Sequence, residues 1–223
     1  MHLWSGVILG LYIFFISVTG SVLVYRNEMQ FAAKSDAAMK AVSWLMAIHD
    51  DFLLGHAGEI ANGIGAGMIL LIITTGLVLW WPGMLHWRWG ISLRRGVGWK
   101  RMVWDLHSMV GFWTFAATFV FALSGIYLCF PEPFHAFADW LQPGSASSTG
   151  ERLMDTVLYW LAFLHFGRIN GIGIFCDGPG LCDQVVKATW ALFGLAPAAM
   201  FVTGMVMWWN RVARHWWKHL QSP

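Results

Sequence analysis

The chain has 223 residues, of which 57% are hydrophobic and 12% charged, and its formal net charge is +2. A soluble domain typically has about 25% charged residues, so the composition excludes a soluble globular protein of this length. The small net charge gives no indication of nucleic-acid binding. We therefore expect an integral membrane protein in contact with lipid.

Four apolar runs are long enough to cross a bilayer, which takes about 20 helical residues. They lie at about residues 3–25, 60–81, 108–130 and 188–209, and Pro197 is the one proline inside a run. The first run lacks the basic start and the cleavage site of a signal peptide, so we expect a retained helix. The sequence thus predicts an all-α membrane protein with four transmembrane helices.

Basic residues are concentrated in two of the connecting segments. Residues 82–106 contain Arg88, Arg94, Arg95, Lys100 and Arg101 against a single acid, and the tail after Trp209 contains three basic residues and no acid. The positive-inside rule places both segments, and by parity the N-terminus, in the cytoplasm.

A sequence pattern near the N-terminus occurs again in the middle of the chain. Residues 2–20 read HLWSGVILGLYIFFISVTG, and residues 107–125 read HSMVGFWTFAATFVFALSG. Both stretches begin with His, have Gly four residues later, and end in a hydroxyl residue followed by Gly. The offset is 105 residues for all of these positions.

The repeat continues into the later part of each half. Residues 49–55 and 165–171 both begin with His and end with Gly, and residues 75–81 and 203–209 both begin with Thr-Gly and end with Trp-Trp. We therefore predict two tandem two-helix units, residues 1–81 and 107–209. They are joined by the basic loop 82–106, followed by the tail 210–223, and related by a pseudo-two-fold axis along the membrane normal.

Four histidines recur in this repeat. The predicted topology places His2 and His107 together on the cytoplasmic side, and His49 and His165 together on the outer side. Two imidazoles that face each other across a helical bundle are the axial ligands of a bis-histidine haem. A zinc site would take three or four protein ligands, and no Cys, Asp or Glu recurs with these histidines. The pattern favours two b-type haems, one for each pair.

Two glycines and two arginines near the recurrent histidines are further candidates for contact with haem. Gly6 and Gly111 lie one helical turn after His2 and His107, where a missing side chain lets a porphyrin or a neighbouring helix approach. Arg101 and Arg168, each near a proposed ligand, are candidate partners for haem propionates, with ordinary interfacial arginine as the alternative. The five other histidines do not recur and are expected to be interfacial.

An outer loop contains Cys176 and Cys182 in the turn-rich sequence CDGPGLC. Two cysteines that close a short loop on the oxidising side of a membrane favour a disulfide over free thiols.

Several motifs together resemble the PepSY-associated transmembrane-helix family of bacterial iron-regulated membrane proteins. They are HDDFLLGHAG, TTGLVLWWPG, SLRRGVGWKR, WDLHSMVGFW and FLHFGRINGIG, and they cover all four apolar runs. The resemblance implies a di-haem protein of the bacterial inner membrane, of the ferric-siderophore reductase type, with ligands at His2, His49, His107 and His165. One departure is that only about thirty residues, 26–58, separate the first two runs, whereas the family commonly has a large periplasmic PepSY domain there.

The expected function is electron transfer across the membrane, from a cytoplasmic donor or quinol to an outer acceptor. Two alternatives remain open. An accessory subunit of a larger respiratory or photosynthetic complex, with or without haem, is favoured by the short loops and by the lack of a nucleotide or flavin motif. A transporter is disfavoured because no charged residue lies deep in an apolar run.

Overall fold

A computed structural model describes residues 2–80, 90–143 and 152–214. The described ranges leave out several tryptophans and non-recurring histidines, and one arginine, in or next to the basic loop and in the tail: Trp81, His86, Arg88, His215, Trp216, Trp217 and His219. Along the described chain the elements are α1 (His2–Leu23), α2 (Arg26–Ala32), α3 (Asp36–Asp51), α4 (His56–Trp80), α5 (Trp99–Cys129), α6 (Pro131–Leu141), α7 (Leu153–Phe166), the antiparallel pair β1 (Arg168–Ile169) and β2 (Ile172–Gly173), and α8 (Leu181–Trp208), which continues into a π-helical turn, Trp209–Ala213.

The prediction of an all-α membrane protein with four transmembrane helices is confirmed. In the described residues, α1, α4, α5 and α8 are the four helices that are long and apolar enough to cross a membrane. We call the end of the bundle at which α1 begins the inner end and the opposite end the outer end, after the predicted orientation. The pseudo-two-fold axis stays a prediction from the sequence.

Two of these helices begin earlier than their apolar runs. Helix α5 begins at Trp99, so residues 99–106 are helical, although the sequence had placed them in the basic loop. Helix α8 begins at Leu181 rather than near residue 188. In both cases the added turns contain a buried charged residue that is paired with other residues of the protein. A charged residue lowers the local hydropathy, so hydropathy alone predicts that the helix ends there.

At the inner end this charge belongs to Asp105, which is 1% exposed. Arg94 donates two hydrogen bonds to its carboxylate, at 2.9 and 2.8 Å, and Arg101 donates a third at 3.0 Å. The paired donors of Arg94 match the two carboxylate oxygens. Asp105 therefore ties the segment before α5 to the first turns of that helix.

At the outer end the charge belongs to Lys187 of α8, which is 3% exposed. Its ammonium group donates to Asp183 at 2.8 Å and also to Glu28 of α2. The other oxygen of Asp183 accepts the backbone N–H of Gly173 at 2.6 Å. This cluster joins α2 and the β-hairpin to the start of α8.

Small residues allow the spanning helices to approach closely, as is common in membrane bundles. A Cβ added at Gly10 would lie 2.0 Å from the Phe201 ring, and one added at Gly65 would lie 2.3 Å from Tyr12. The first contact packs α1 against α8, and the second packs α4 against α1. Larger side chains at these glycines would push the helices apart.

The outer connections contain short helices that the sequence did not predict. Helix α3 is capped by Ser35, whose hydroxyl accepts the N–H of Ala38 at 3.2 Å, and it ends where Phe52 adopts a left-handed conformation with φ 54°. Helix α7 ends at Gly167, with φ 65°. Further along the same connection, a disulfide joins Cys176 to Cys182, with a Cα–Cα distance of 5.9 Å. Helices α3 and α7 matter most because they contain His49 and His165.

Candidate functional site

The structure brings His49 and His165 together at the outer end of the bundle. Their ring centroids lie 6.4 Å apart, with an angle of 51° between the ring planes. An imidazole nitrogen binds a transition-metal ion at about 2 Å, so two rings on opposite sides of one ion have centroids roughly 6 Å apart. The observed spacing therefore matches two imidazoles that share one metal ion.

A hydroxyl group lies beside the Nδ1 atom of each of the four recurrent histidines. In the sequence these hydroxyl residues were recognisable only as part of the repeat, without a role of their own. The Nδ1–O distances are 3.0 Å for His49 and Thr19, 2.8 Å for His165 and Ser124, 3.0 Å for His2 and Thr75, and 2.8 Å for His107 and Thr203.

The direction of these hydrogen bonds follows from the other contacts of the hydroxyl groups. Each hydroxyl donates its one proton to a backbone carbonyl one turn earlier in its own helix, as Thr19 does to Phe15 at 2.7 Å and Ser124 does to Val120 at 2.5 Å. Thr75 and Thr203 make the same bond at 2.9 Å. The hydroxyl oxygen must therefore accept from the imidazole, so the proton is on Nδ1 and Nε2 keeps its lone pair. This is the tautomer that a metal ligand needs at Nε2.

The glycine that follows each hydroxyl residue lies against the same imidazole ring. A Cβ at Gly20 would be 2.8 Å from Cε1 of His49, and a Cβ at Gly76 would be 3.2 Å from Cε1 of His2. At Gly204 and Gly125 the corresponding distances, to His107 and His165, are 3.6 and 3.9 Å. The hydroxyl–glycine pair thus supplies one hydrogen-bond acceptor and room for the ring.

A cavity of about 570 Å³ lies beside the outer pair, which is a volume typical of cofactor and ligand sites. Residues of α1, α3, α4, α5, α7 and α8 line it, His49 and His165 among them. Most of the wall inside the bundle is apolar, for example Ile16, Phe121 and Pro197. The cavity thus has an apolar inner wall, and two imidazoles and several charged side chains line the rest of it.

Burial keeps these two imidazoles uncharged. It lowers the pKa of His49 to about 4, and burial together with the nearby His49 lowers the pKa of His165 to about 4. Both rings are therefore neutral at pH 7, as metal coordination requires.

The C-terminal end of α3 is fixed by Asn62 of α4. Its side-chain N–H groups donate to the carbonyl oxygens of His49 and Asp50, at 2.9 and 3.1 Å. Its side-chain oxygen accepts from the Tyr12 hydroxyl at 2.9 Å. Asn62 therefore satisfies two carbonyls that the end of a helix leaves free, and it holds the turn that contains His49.

At the inner end, His2 begins α1 and His107 lies in α5. A Cβ at Gly6 would meet no atom within 4 Å in the described part of the chain, whereas one at Gly111 would lie 2.9 Å from the flexible end of Met200. Among the described residues, the Nε1–H of Trp208 is buried and has no hydrogen-bond acceptor, and its ring contacts Trp4 at a centroid distance of 5.8 Å.

The two arginines singled out from the sequence lie in different surroundings. Arg101 is bound to Asp105, so its guanidinium is already engaged in an ion pair. Arg168 is 5% exposed and lines the outer cavity.

Fold and site together define a four-helix membrane protein with two sets of recurrent, hydroxyl-bound histidines. A family model described as the PepSY-associated TM region matches residues 32–211, and the chain belongs to this family. Comparisons with curated proteins and with solved structures found no match.

Proposed function

We propose that this protein is a di-haem b electron carrier that moves electrons across the membrane. His49 and His165 would bind one haem at the outer end, and His2 and His107 would bind the other at the inner end. A bound haem supplies reversible one-electron transfer between ferric and ferrous iron. The chain supplies the axial imidazoles, an apolar environment and fixed hydrogen bonds.

The observation that carries the proposal is the shared hydrogen-bond pattern of the four histidines. In each case Nδ1–H donates to a hydroxyl whose own proton is already used, which leaves Nε2 as a free electron pair. Any buried imidazole N–H needs an acceptor, but here the same atom of all four recurrent histidines has the same kind of acceptor. Such a bond orients an iron ligand and makes it more basic. The 6.4 Å centroid spacing of the outer pair and the adjoining cavity support the same interpretation.

The two proposed sites lie at different depths of the bundle. His2 and Thr19, which holds the outer His49, are 17 residues apart on α1, or about 25 Å along a straight helix. Phe14 of α1 lies between these levels and contacts Phe201 of α8 at a centroid distance of 6.1 Å. We propose that these aromatic side chains fill the space between the two haems.

The remaining steps of the proposal concern donor and acceptor. Electrons would enter at the inner end, from a cytoplasmic protein or a quinol, and leave at the outer end. The family resemblance suggests a ferric siderophore as one acceptor. Asp50, Asp51, His56 and Glu59 line the cavity near its outer side, so an acceptor would approach a polar rim there.

An optical spectrum of protein purified from haem-supplied membranes tests the proposal. We expect sharp reduced b-type bands and about two haems per chain. His49→Ala and His165→Ala should each remove the same haem, and His2→Ala and His107→Ala should each remove the other. His135→Ala is a matched control, because His135 lies at the outer end against Tyr127 and outside the cavity lining. Protein that is folded and free of haem after expression with excess haem would refute the proposal.

A further inference from the structure

The outer cavity has a buried positive charge in its wall. Arg168, in β1, is 5% exposed and lies three residues after His165. One guanidinium nitrogen donates to the carbonyl of Val24, the residue after the end of α1, at 3.1 Å. This bond satisfies a free carbonyl, but a carbonyl does not neutralise the charge.

No carboxylate within residues 2–80, 90–143 and 152–214 forms an ion pair with Arg168. Glu28 is near enough to interact with it electrostatically, but Glu28 pairs with Lys187 through one oxygen, and its other oxygen accepts no hydrogen bond. A buried guanidinium is unfavourable unless an anion pairs with it. Within the described residues, the charge of Arg168 is therefore not paired directly with a carboxylate.

A second guanidinium lies close to the first. Arg26, at the start of α2, also lines the cavity, and its Cζ atom lies 5.5 Å from the centroid of the Phe166 ring. Burial and the charge of Arg26 lower the pKa of Arg168 to about 10. Arg26 also interacts electrostatically with Asp50, at the outer rim of the cavity. Two like charges held together in this way favour an anionic ligand between them.

We infer that Arg168, assisted by Arg26, is a carboxylate-binding site in the wall of the outer cavity, and that its occupant is a propionate group of the outer haem. The site itself follows from the buried guanidinium, whereas the choice of occupant rests on the proposed function. Guanidinium groups bind carboxylates through paired hydrogen bonds. The cavity contains both groups that such a haem would need: two imidazoles, and a guanidinium three residues after one of them. A carboxylic acid taken up from solution is the other source of the same group.

The first experiment compares haem loss from Arg168→Gln and the unchanged protein, each loaded with haem, using excess apomyoglobin as the scavenger. A charge-assisted hydrogen bond contributes enough for about a tenfold effect, so the outer haem of Arg168→Gln should leave about tenfold faster. Arg168→Lys should lie between the two, and Arg26→Gln should show a smaller effect in the same direction. Arg152→Gln is the matched control, because Arg152 is an outer-end arginine bound to Asp139 and Asp155, and it does not line the cavity.

The second experiment repeats the measurement with haem dimethyl ester, in which the propionates are esterified. The unchanged protein and Arg168→Gln should then lose the porphyrin at equal rates. With native haem, Arg168→Gln should also lower the midpoint potential of the outer haem and make it vary more with pH, because a propionate without its cation takes up a proton more readily. A purely structural role of Arg168 would not produce this dependence.

The outcomes separate the two sources and the two proposals. An equal effect of Arg168→Gln with both porphyrins refutes the propionate as occupant. If added succinate then shifts the potential in the unchanged protein and not in Arg168→Gln, the carboxylate comes from solution. No effect with either porphyrin, in Arg168→Gln and Arg26→Gln alike, refutes the carboxylate site. Absence of haem from the unchanged protein refutes the proposed function instead.

Discussion

Nδ1 of His165 lies 2.8 Å from the hydroxyl oxygen of Ser124, which is 41 residues earlier in the chain and on a different helix. Because the Ser124 hydroxyl donates to Val120 within α5, the imidazole is the donor in this contact. The other three recurrent histidines make the same kind of hydrogen bond. All four therefore have the proton on Nδ1, and the first prediction follows from this shared tautomer.

Replacing the hydroxyl should weaken the proposed outer site. In Ser124→Ala, Nδ1 of His165 loses its acceptor, and loss of such an orienting bond typically lowers metal affinity by about 10- to 100-fold. We expect faster loss of the outer haem and a higher midpoint potential, because a less basic imidazole stabilises ferric iron less. Ser124→Thr should restore both values, as Thr19 supplies this bond to His49.

Ser21→Ala is the control for that experiment. Ser21 is buried in α1 and donates to the Ser17 carbonyl at 2.7 Å, as Ser124 donates within α5, but it makes no hydrogen bond to an imidazole of the described residues. Haem affinity should be unchanged in this variant. An equal loss of haem from Ser21→Ala and Ser124→Ala would show that general packing, not the imidazole bond, is responsible.

Gly6 and Gly67 allow a sharp test of the inner site. A Cβ at either position meets no atom of the described residues within 4 Å, so we expect neither Gly→Ala change to disturb the haem-free fold. Gly6 alone lies one turn after a proposed ligand, on the face where we predict the inner haem. Gly6→Ala should therefore reduce inner haem content, whereas Gly67→Ala should not, as measured by haem-to-protein ratio. Equal haem content in the two variants would contradict the predicted role of Gly6.

The stability of the haem-free protein should depend on pH through the outer pair. The folded-state pKa of His49 and of His165 is lowered to about 4, against about 6.5 in the unfolded chain. Between these values the unfolded chain binds protons that the folded protein does not, so the free energy of unfolding should decrease as pH falls from about 6.5 to about 4. Above this range the two groups should add no pH dependence.

Thermal unfolding of the haem-free protein at a series of pH values measures this effect. The double variant His49→Gln/His165→Gln should have a flatter profile over the same range, while His135→Gln should keep the original slope. If the double variant and the unchanged protein have the same profile, the outer imidazoles are not the groups responsible.

Asp105 should be important for the inner end. In Asp105→Asn the charge that pairs with Arg94 and Arg101 is removed, and breaking a buried ion pair costs about 3 kcal/mol or more when the partners stay buried. Arg94 and Arg101 are 27% and 48% exposed, so we expect a smaller loss, seen as a lower unfolding temperature. The inner haem should be lost more readily, because Asp105 lies two residues before His107. Arg95→Gln, a change at an exposed arginine of the same segment, should leave both measurements unchanged.

The sequence predicted the four spanning helices because each contains an apolar run longer than a bilayer requires. It placed the starts of α5 and α8 too late, since the charges of Asp105 and Lys187 are neutralised by residues that only folding brings near. Helices α3 and α7 escaped prediction because, at 16 and 14 residues, each is too short to cross a bilayer, although α7 is apolar.

The recurrent histidines were recognisable from spacing alone, and so were the hydroxyl–glycine pairs. Their relationship was not, because it depends on how far one helix is shifted along another. His49 meets Thr19 only because the chain turns back after α1 and α3 then lies against the outer end of that helix. The sequence repeat thus identified the candidate site residues, but it did not predict which of them form contacts.

Every hydroxyl–imidazole bond described above joins two residues of the same half of the chain: 2 with 75, 19 with 49, 107 with 203 and 124 with 165. The proposed iron atoms, in contrast, would each connect one half to the other. The two halves also pack on each other, as α1 does on α8 where Gly10 meets Phe201. Cofactor insertion would therefore cross-link by metal two halves that each orient their own histidines.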